Sequence, residues 1–268
     1  MPVPADPVNV LPEIRVLHLL DGAVRARGVA VIIDVFRAFS LAPYAFMQGA
    51  AAIFPVGTPE EALAMKTADP ALLLVGERDG KPLPGFDYSN SPAAVRRADL
   101  AGRRLALRTS AGIQGLLAAD QADEVITGSF VNALAIIAWL RHRASPLISL
   151  VCMGWNGSER TAEDAACAEF LAAGLRGESP DLEPIRRRLR EDPCGAKFFD
   201  PARPWFPAED FDACLQLSSW PFVLQRSHDA GGRMCLAPVP VSGTARISGE
   251  RYSGEACPAP GGAIRDQK

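Results

Sequence analysis

The sequence predicts an α/β fold, a largely parallel sheet flanked by helices, with a smaller helical, loop-rich C-terminal subdomain. Three observations carry that expectation. From residue 14 to about 176, short β-rich apolar runs alternate with helical patterns, as in repeated strand–helix units. With 268 residues, 48% of them apolar, the chain can fill one large core or two smaller ones. After residue 177 the alternation stops and prolines gather at Pro193, Pro201, Pro204 and Pro207. The expected division is an α/β core over 1–177 and a C-terminal subdomain or cap packed on it over 178–268.

Taken in order, strands are expected over 14–20, 29–34, 52–56, 72–75, 105–108, 124–127 and 147–152, with helices between them. Thr58-Pro59-Glu60-Glu61 is a helix start: threonine caps, proline suits the first turn, and Glu61 completes a capping box, so that helix should reach about Ala68. A long irregular stretch separates Val75 from Leu105, and its glycines, aromatic pair and polar side chains favour a functional loop. Thr161-Ala162-Glu163-Asp164 opens an alanine-rich helix to about Arg176. Beyond it lie a basic helix around 185–190 and another over 208–217. The last dozen residues, rich in Gly and Pro, read as a frayed tail.

Composition narrows the function. A net charge of -3 supplies no basic field, which argues against nucleic acid and against an anionic membrane surface as partner. No apolar run approaches the roughly 20 residues that span a bilayer, and the opening residues lack a signal-peptide pattern, so a cytoplasmic protein is expected. Six cysteines without a C-x-x-C pair suit reduced thiols. Three histidines, His18, His142 and His228, leave little for an imidazole site, so a metal here should be bound by oxygen. Lysine occurs only at Lys66, Lys81, Lys197 and Lys268, a bias read as compositional. The glycine signatures of phosphate-loop ATPases, dinucleotide binders and α/β-hydrolases are missing. Asp34 also lacks the second aspartate, two residues on, of haloacid-dehalogenase-type phosphatases.

The candidate chemistry gathers where strands end, the edge at which open α/β sheets place their ligands. Asp34 closes the run Val29-Ala30-Val31-Ile32-Ile33, and Arg37 follows three residues later. Asp34, Glu77, Asp87 and Asp164 are candidates for a hard divalent cation, and Mg2+ suits such oxygen donors. Each acid has a plainer reading: Asp34 a cap or a partner of Arg37, Glu77 a partner of Arg78, Asp164 a favourable helix-start charge, Asp87 a local turn. Arg37, Arg78 and Arg108 could clamp an oxyanion. Thr109-Ser110-Ala111-Gly112 after a strand looks like an oxyanion cradle of backbone N–H and hydroxyl donors. Asn90 with Ser91, and Ser129 with Asn132, could contact ligand or cap helices.

Together, Asp34-Val35-Phe36-Arg37-Ala38, Gly76-Glu77-Arg78-Asp79-Gly80, Gly85-Phe86-Asp87-Tyr88-Ser89-Asn90-Ser91-Pro92, Gly128-Ser129-Phe130-Val131-Asn132 and Glu163-Asp164-Ala165-Ala166-Cys167-Ala168 resemble the 2-phosphosulfolactate phosphatase family, over roughly residues 14–176. Two departures stand out: Thr109-Ser110-Ala111-Gly112-Ile113 where many members resemble T-T-N-G-T, and Asp79 where glycine is common. The resemblance implies a Mg2+-dependent phosphatase acting on 2-phosphosulfolactate, a small anionic phosphorylated substrate, to give sulfolactate and phosphate, in coenzyme M biosynthesis. It implies that Asp34, Glu77 and Asp164 hold the metal, while Arg37 and the 110–112 backbone stabilise the phosphoryl oxygens during in-line displacement. Whether Asp34 attacks phosphorus or positions the attacking water stays open.

Two rival readings remain. One is a cysteine hydrolase of isochorismatase-like type, with Cys152 at a strand end as nucleophile and Asp34 orienting it. The other is a non-catalytic binding protein for a phosphorylated or sulfonated metabolite. A homodimer is a reasonable expectation at this size.

Overall fold

The computed structural model describes residues 11–218 and 220–241. In chain order its elements begin β1 (Glu13–His18), α1 (Leu19–Arg25), β2 (Val29–Ile33), α2 (Ala38–Met47), β3 (Ala52–Pro55), α3 (Pro59–Ala68) and β4 (Leu73–Arg78). Next come β5 (Lys81–Pro82), α4 (Pro92–Val95), β6 (Arg104–Arg108), α5 (Gly112–Ala118), β7 (Glu124–Gly128), α6 (Ala133–Arg143) and β8 (Leu147–Cys152). The chain continues through α7 (Ala162–Leu175), α8 (Leu182–Glu191), α9 (Pro193–Ala196), a 3-10 turn (Lys197–Phe199), α10 (Ala208–Cys214), β9 (Phe222–His228) and β10 (Met234–Pro240).

Ten strands form one sheet in the order β1-β8-β2-β7-β9-β10-β3-β6-β4-β5. Pairings among β1, β8, β2 and β7, and among β3, β6 and β4, are parallel. The α/β class and the mostly parallel sheet are therefore as the sequence predicts. Strand β2 shows why: Val29, Val31 and Ile33 pack in one core, Ala30 and Ile32 in another, so a continuous apolar run serves a strand covered on both faces. The α3 start also holds. Thr58 Oγ1 accepts from Glu61 N at 3.1 Å, while the Glu61 carboxylate reaches back to Gly57 N at 2.9 Å, one residue beyond the usual capping box.

Three differences matter. The first strand stops at His18, because Leu20 N donates to Gly157 O rather than to a sheet neighbour and the chain turns into α1. The stretch 76–92 is not structureless: β4 continues to Arg78 and pairs antiparallel with β5. Most important, β9 and β10 form an antiparallel hairpin in the middle of the sheet, joining β7 on one side and β3 on the other. The sheet thus extends beyond residues 1–177, and within 178–241 the helical, loop-rich character belongs to residues 182–214. Pro238 and Pro240 hid β10, since proline inside a run argues against an interior strand. The tail expected to fray lies outside the described residues.

The two parallel sets run in opposite senses, because three antiparallel pairings separate them, yet the loops after β2 and β6 and the end of β4 meet and build the site. After β6 the chain folds back so that α5 packs against α1 and β2. From the other side, residues 197–210 bring Lys197, Trp205, Phe206 and Asp210 toward the loop after β2.

Candidate functional site

Asp34 directly follows β2 and is 6% exposed. Its Oδ2 accepts from Gly112 N at 2.8 Å and its Oδ1 from Ala38 N at 3.2 Å. Only glycine fits at 112: a Cβ there would lie 2.6 Å from Asp34 Oδ2 and 2.9 Å from Asp34 Cβ. Glu77, in β4, is held the same way, Oε1 accepting from Ser110 N at 2.7 Å and Oε2 from Gly80 N at 2.6 Å. The loop read as an oxyanion cradle therefore gives two of its N–H groups to carboxylates, and Thr109 Oγ1 takes Ile113 N at 3.2 Å at the start of α5.

Asp34 and Glu77 line one cavity of about 20 Å³ together with Arg37, Asn90 and Ser110, walled by the rings of Phe36, Trp155 and Phe206. That is room for a single water or ion. Two larger clefts, of about 580 and 520 Å³, lie elsewhere, one beside Leu11 and Arg176, the other between Phe54 and Arg233, with none of these carboxylates in their walls. Asn90 is 5% exposed, and among the described residues its Oδ1 finds no hydrogen-bond partner. A buried amide oxygen without a partner is costly, and a cation would satisfy it.

Asp164 does not join this cavity. Its Oδ1 accepts from Val35 N at 2.9 Å and its Oδ2 from Gly154 N at 2.7 Å, so it ties the loops after β2 and β8 together beneath the site. Among the described residues no three Asp, Glu, His or Cys side chains converge as a metal cluster. Of the three carboxylates grouped in the sequence, only Asp34 and Glu77 line the cavity, with the Asn90 amide beside them.

Arg37 reaches the cavity, but its guanidinium is already engaged. Nη1 donates to Asp210 Oδ2 at 2.7 Å and to Trp205 O at 2.9 Å, Nη2 donates to Gly80 O at 2.9 Å, and the group lies 4.8 Å from the Phe206 ring centre. Among the described residues its buried Nε has no partner. Asp210, 0% exposed, also accepts from Ser91 Oγ at 2.6 Å and Ala93 N at 3.0 Å. Ser91 caps α4 through Ala94 N at 3.2 Å, the helix-capping alternative for that residue.

The remaining candidates lie outside the cavity wall. Arg78 is exposed. Arg108 Nη1 donates to Glu77 O at 2.6 Å and to Ser110 Oγ at 3.2 Å, bracing the β4 and β6 ends. Ser129 Oγ and Asn132 Oδ1 bond to each other at 3.2 Å, both side chains buried, and Asn132 makes no cap bond to α6. Asp87 accepts from Lys66 Nζ at 2.6 Å and Leu74 N at 2.7 Å. Against the upward push of burial, the Leu74 N–H and the Lys66 ammonium hold its carboxyl below the usual range. Asp79 adopts φ +53°, a left-handed conformation that aspartate tolerates and glycine favours, which accounts for this position.

Acidic charge is concentrated here. Asp34, Glu77, Glu163, Asp164 and Asp210 are all buried, against the cations Arg37, Arg108 and Lys197. Burial pushes the Asp34 carboxyl up to about 7; the Gly112 and Ala38 N–H bonds oppose this, and the charges of Glu77 and Glu163 add to it. Burial, then Glu163 and Asp34, raises Asp164 well above the carboxylate range. Cys152 is 3% exposed, and burial, followed by the Asp164 charge, pushes its thiol up. Among the described residues its thiol bonds to Asp164 O and to no basic side chain, and it does not line the cavity, so the cysteine-nucleophile reading finds no geometry here.

Sequence reasoning missed Asp210, Lys197, Trp155 and Phe206. Asp210 reads as an ordinary first-turn acid, and nothing local marks its ion pair with a residue 173 positions away. The rarity of lysine was a usable signal for Lys197.

A family model described as 2-phosphosulpholactate phosphatase matches residues 16–189. A Bacillus subtilis protein named as a probable 2-phosphosulfolactate phosphatase is 31% identical over 205 residues, covering 75% of this chain and 88% of that protein. Relatives of the same name from Deinococcus radiodurans and Thermotoga maritima are 42% identical over 130 residues and 38% over 145. Those two matches cover 48% and 54% of this chain and 54% and 59% of the relatives' own lengths.

Proposed function

Since the chain belongs to the 2-phosphosulfolactate phosphatase family, we propose that it hydrolyses the phosphomonoester of a small anionic acid, 2-phosphosulfolactate foremost, with Mg2+ as cofactor. The observation that carries this reading is one cavity presenting Asp34, Glu77 and the unpartnered Asn90 Oδ1. These are hard oxygen donors, and Mg2+ is commonly held by one or two carboxylates together with waters and substrate phosphate. The excess of buried acids over cations gives a divalent ion a second role, as the missing counter-charge.

The ion would neutralise phosphoryl oxygens and so favour displacement at phosphorus. The chain's own residues do the rest. Gly112 and Ala38 hold Asp34, Ser110 and Gly80 hold Glu77, and both carboxylates stay aimed at the cavity without side-chain freedom to lose. Arg37, fixed by Asp210, adds positive charge beside them, and the rings of Phe36, Trp155 and Phe206 lower the local dielectric and exclude bulk solvent other than the water that hydrolysis consumes. An ion-sized cavity needs only the phosphoryl group to approach, with the acid portion of the substrate remaining at its mouth. The reduced, buried cysteines suit a cytoplasmic setting for the reaction.

The test is phosphate release from 2-phosphosulfolactate with and without Mg2+. The expected result is turnover that EDTA abolishes and that Asp34→Asn removes. Tight binding of the ester without phosphate release, with or without the metal, would instead support the binding-protein reading.

A further inference from the structure

Lys197 lies in the 3-10 turn before residue 200 and is 8% exposed. Among the described residues its ammonium makes no hydrogen bond and no ion pair within 4 Å. It stands instead among aromatic faces, 4.6 Å from the Trp155 ring centre, 5.1 Å from Phe206 and 5.9 Å from Phe36. Those three rings wall the Asp34–Glu77 cavity. Its main opposite charge is Glu163, 4% exposed, whose Oε2 is without a hydrogen-bond partner among the described residues. A buried lysine of this kind is expensive to maintain as core, where a methionine would pack the same aromatic cage at lower cost.

The other cations of the site are committed. Arg37 has both terminal nitrogens on Asp210, Trp205 and Gly80, and Arg108 is bonded to Glu77 and Ser110. Lys197 also lies past residue 189, where the match to the family model ends. It is thus a cation set against the rings that wall the cavity, contributed by a part of the chain outside that match.

We propose that Lys197 is the specificity-determining cation of the site, selecting phosphoesters that carry a second acidic group, carboxylate or sulfonate, beside the phosphate. The inference rests on the phosphatase reading above and deepens it. Ring faces leave the ammonium open to an anion brought to the cavity mouth, because the surrounding dielectric is low and Glu163, its main opposite charge, forms no ion pair with it within 4 Å. A phosphoester of a neutral alcohol draws nothing further from it. An ester with a neighbouring acid does, so the lysine favours the acid-bearing ester at the binding step and leaves the phosphoryl chemistry to Asp34 and Glu77.

The experiment compares the wild-type protein with Lys197→Met and Lys197→Arg on two esters, 2-phosphosulfolactate and phenyl phosphate. For Lys197→Met the expected result is a KM for the acid-bearing ester raised about tenfold, with kcat and the phenyl phosphate KM little changed. Lys197→Arg should restore most of the loss. Equal effects on both esters, or none on either, overturn the proposal; unchanged melting excludes a folding defect as the cause. Calorimetric binding of sulfolactate itself separates the two readings. If the wild type releases no phosphate from either ester yet binds sulfolactate, and Lys197→Met loses that binding, the phosphatase reading fails and the selecting role stands. Sulfolactate binding that is absent, or unaffected by the substitution, removes that role.

Discussion

Arg37 and Asp210 form an ion pair of 2.7 Å between side chains that are 1% and 0% exposed, and it fastens α10 to the loop after β2. Asp210 has its other oxygen on Ser91 and Ala93, so three separate stretches of chain meet at one carboxylate. Removing one member of such a pair strands a charge away from water. Asp210→Ala should therefore lower the unfolding free energy by roughly 3–5 kcal/mol, read from urea denaturation. The double substitution Arg37→Met with Asp210→Leu should cost less than either single change. A loss under 1 kcal/mol for Asp210→Ala would show that the pair does not hold the loops.

Gly112 supplies both a hydrogen bond and the space that Asp34 occupies. In Gly112→Ala the added methyl would meet Asp34 Oδ2 at 2.6 Å and Phe39 Cε2 at 3.0 Å, both in a packed wall. Overpacking of this kind costs about 1–3 kcal/mol. The larger effect is expected on turnover, since displacing Asp34 spoils the cavity: kcat should fall by about 100-fold while the melting temperature drops only a few degrees. Normal turnover in this variant would detach Asp34 from the reaction.

How far the sequence revealed this arrangement follows the range of the interactions. Asp34 and Glu77 were legible because each ends a buried apolar run, where an acid is costly without a purpose. Thr58 and its helix were legible because the cap is completed within four residues. Asp164 was placed correctly at the start of a helix, but its bonds to Val35 and Gly154 come from loops that sequence order does not bring together. The same holds for Asp210 and Lys197, whose partners lie on other elements. The central hairpin was hidden by prolines and by its position in the sheet: nothing local tells a C-terminal hairpin that it will be inserted between β7 and β3.

The cysteine-nucleophile alternative makes an opposite forecast to the metal reading. Cys152 is buried, its Sγ contacts Asp164 O at 3.4 Å, and its thiol is held up by burial and neighbouring acids. A buried, protonated thiol is a poor nucleophile. Iodoacetamide on the native protein should leave phosphate release unchanged, whereas EDTA should stop it. Inactivation by the alkylating agent together with indifference to EDTA would reverse the assignment, and Cys152→Ala would then be the inactive variant in place of Asp34→Asn.

The raised carboxyl of Asp34 sets a pH dependence whose sign is fixed. In the folded chain it titrates at about 7, against 3.8 for the ordinary group, chiefly because it is buried. Between those values the folded state keeps a proton that the unfolded chain has released. The associated stability is fully present below the unfolded value and is lost as pH rises through the folded one. Glu163 and Asp164 are raised in the same direction, so they add to the decline. Metal-free protein should thus become less stable from about pH 4 to pH 7, and Asp34→Asn should make that decline shallower. Mg2+ competes with the proton for the same oxygens, so its effect must grow as the proton leaves. The rise in melting temperature on adding Mg2+ should be small at pH 5 and larger at pH 8, and Asp34→Asn should abolish it at both. A Mg2+ shift that is equal at the two pH values, or that survives Asp34→Asn, would place the ion away from Asp34.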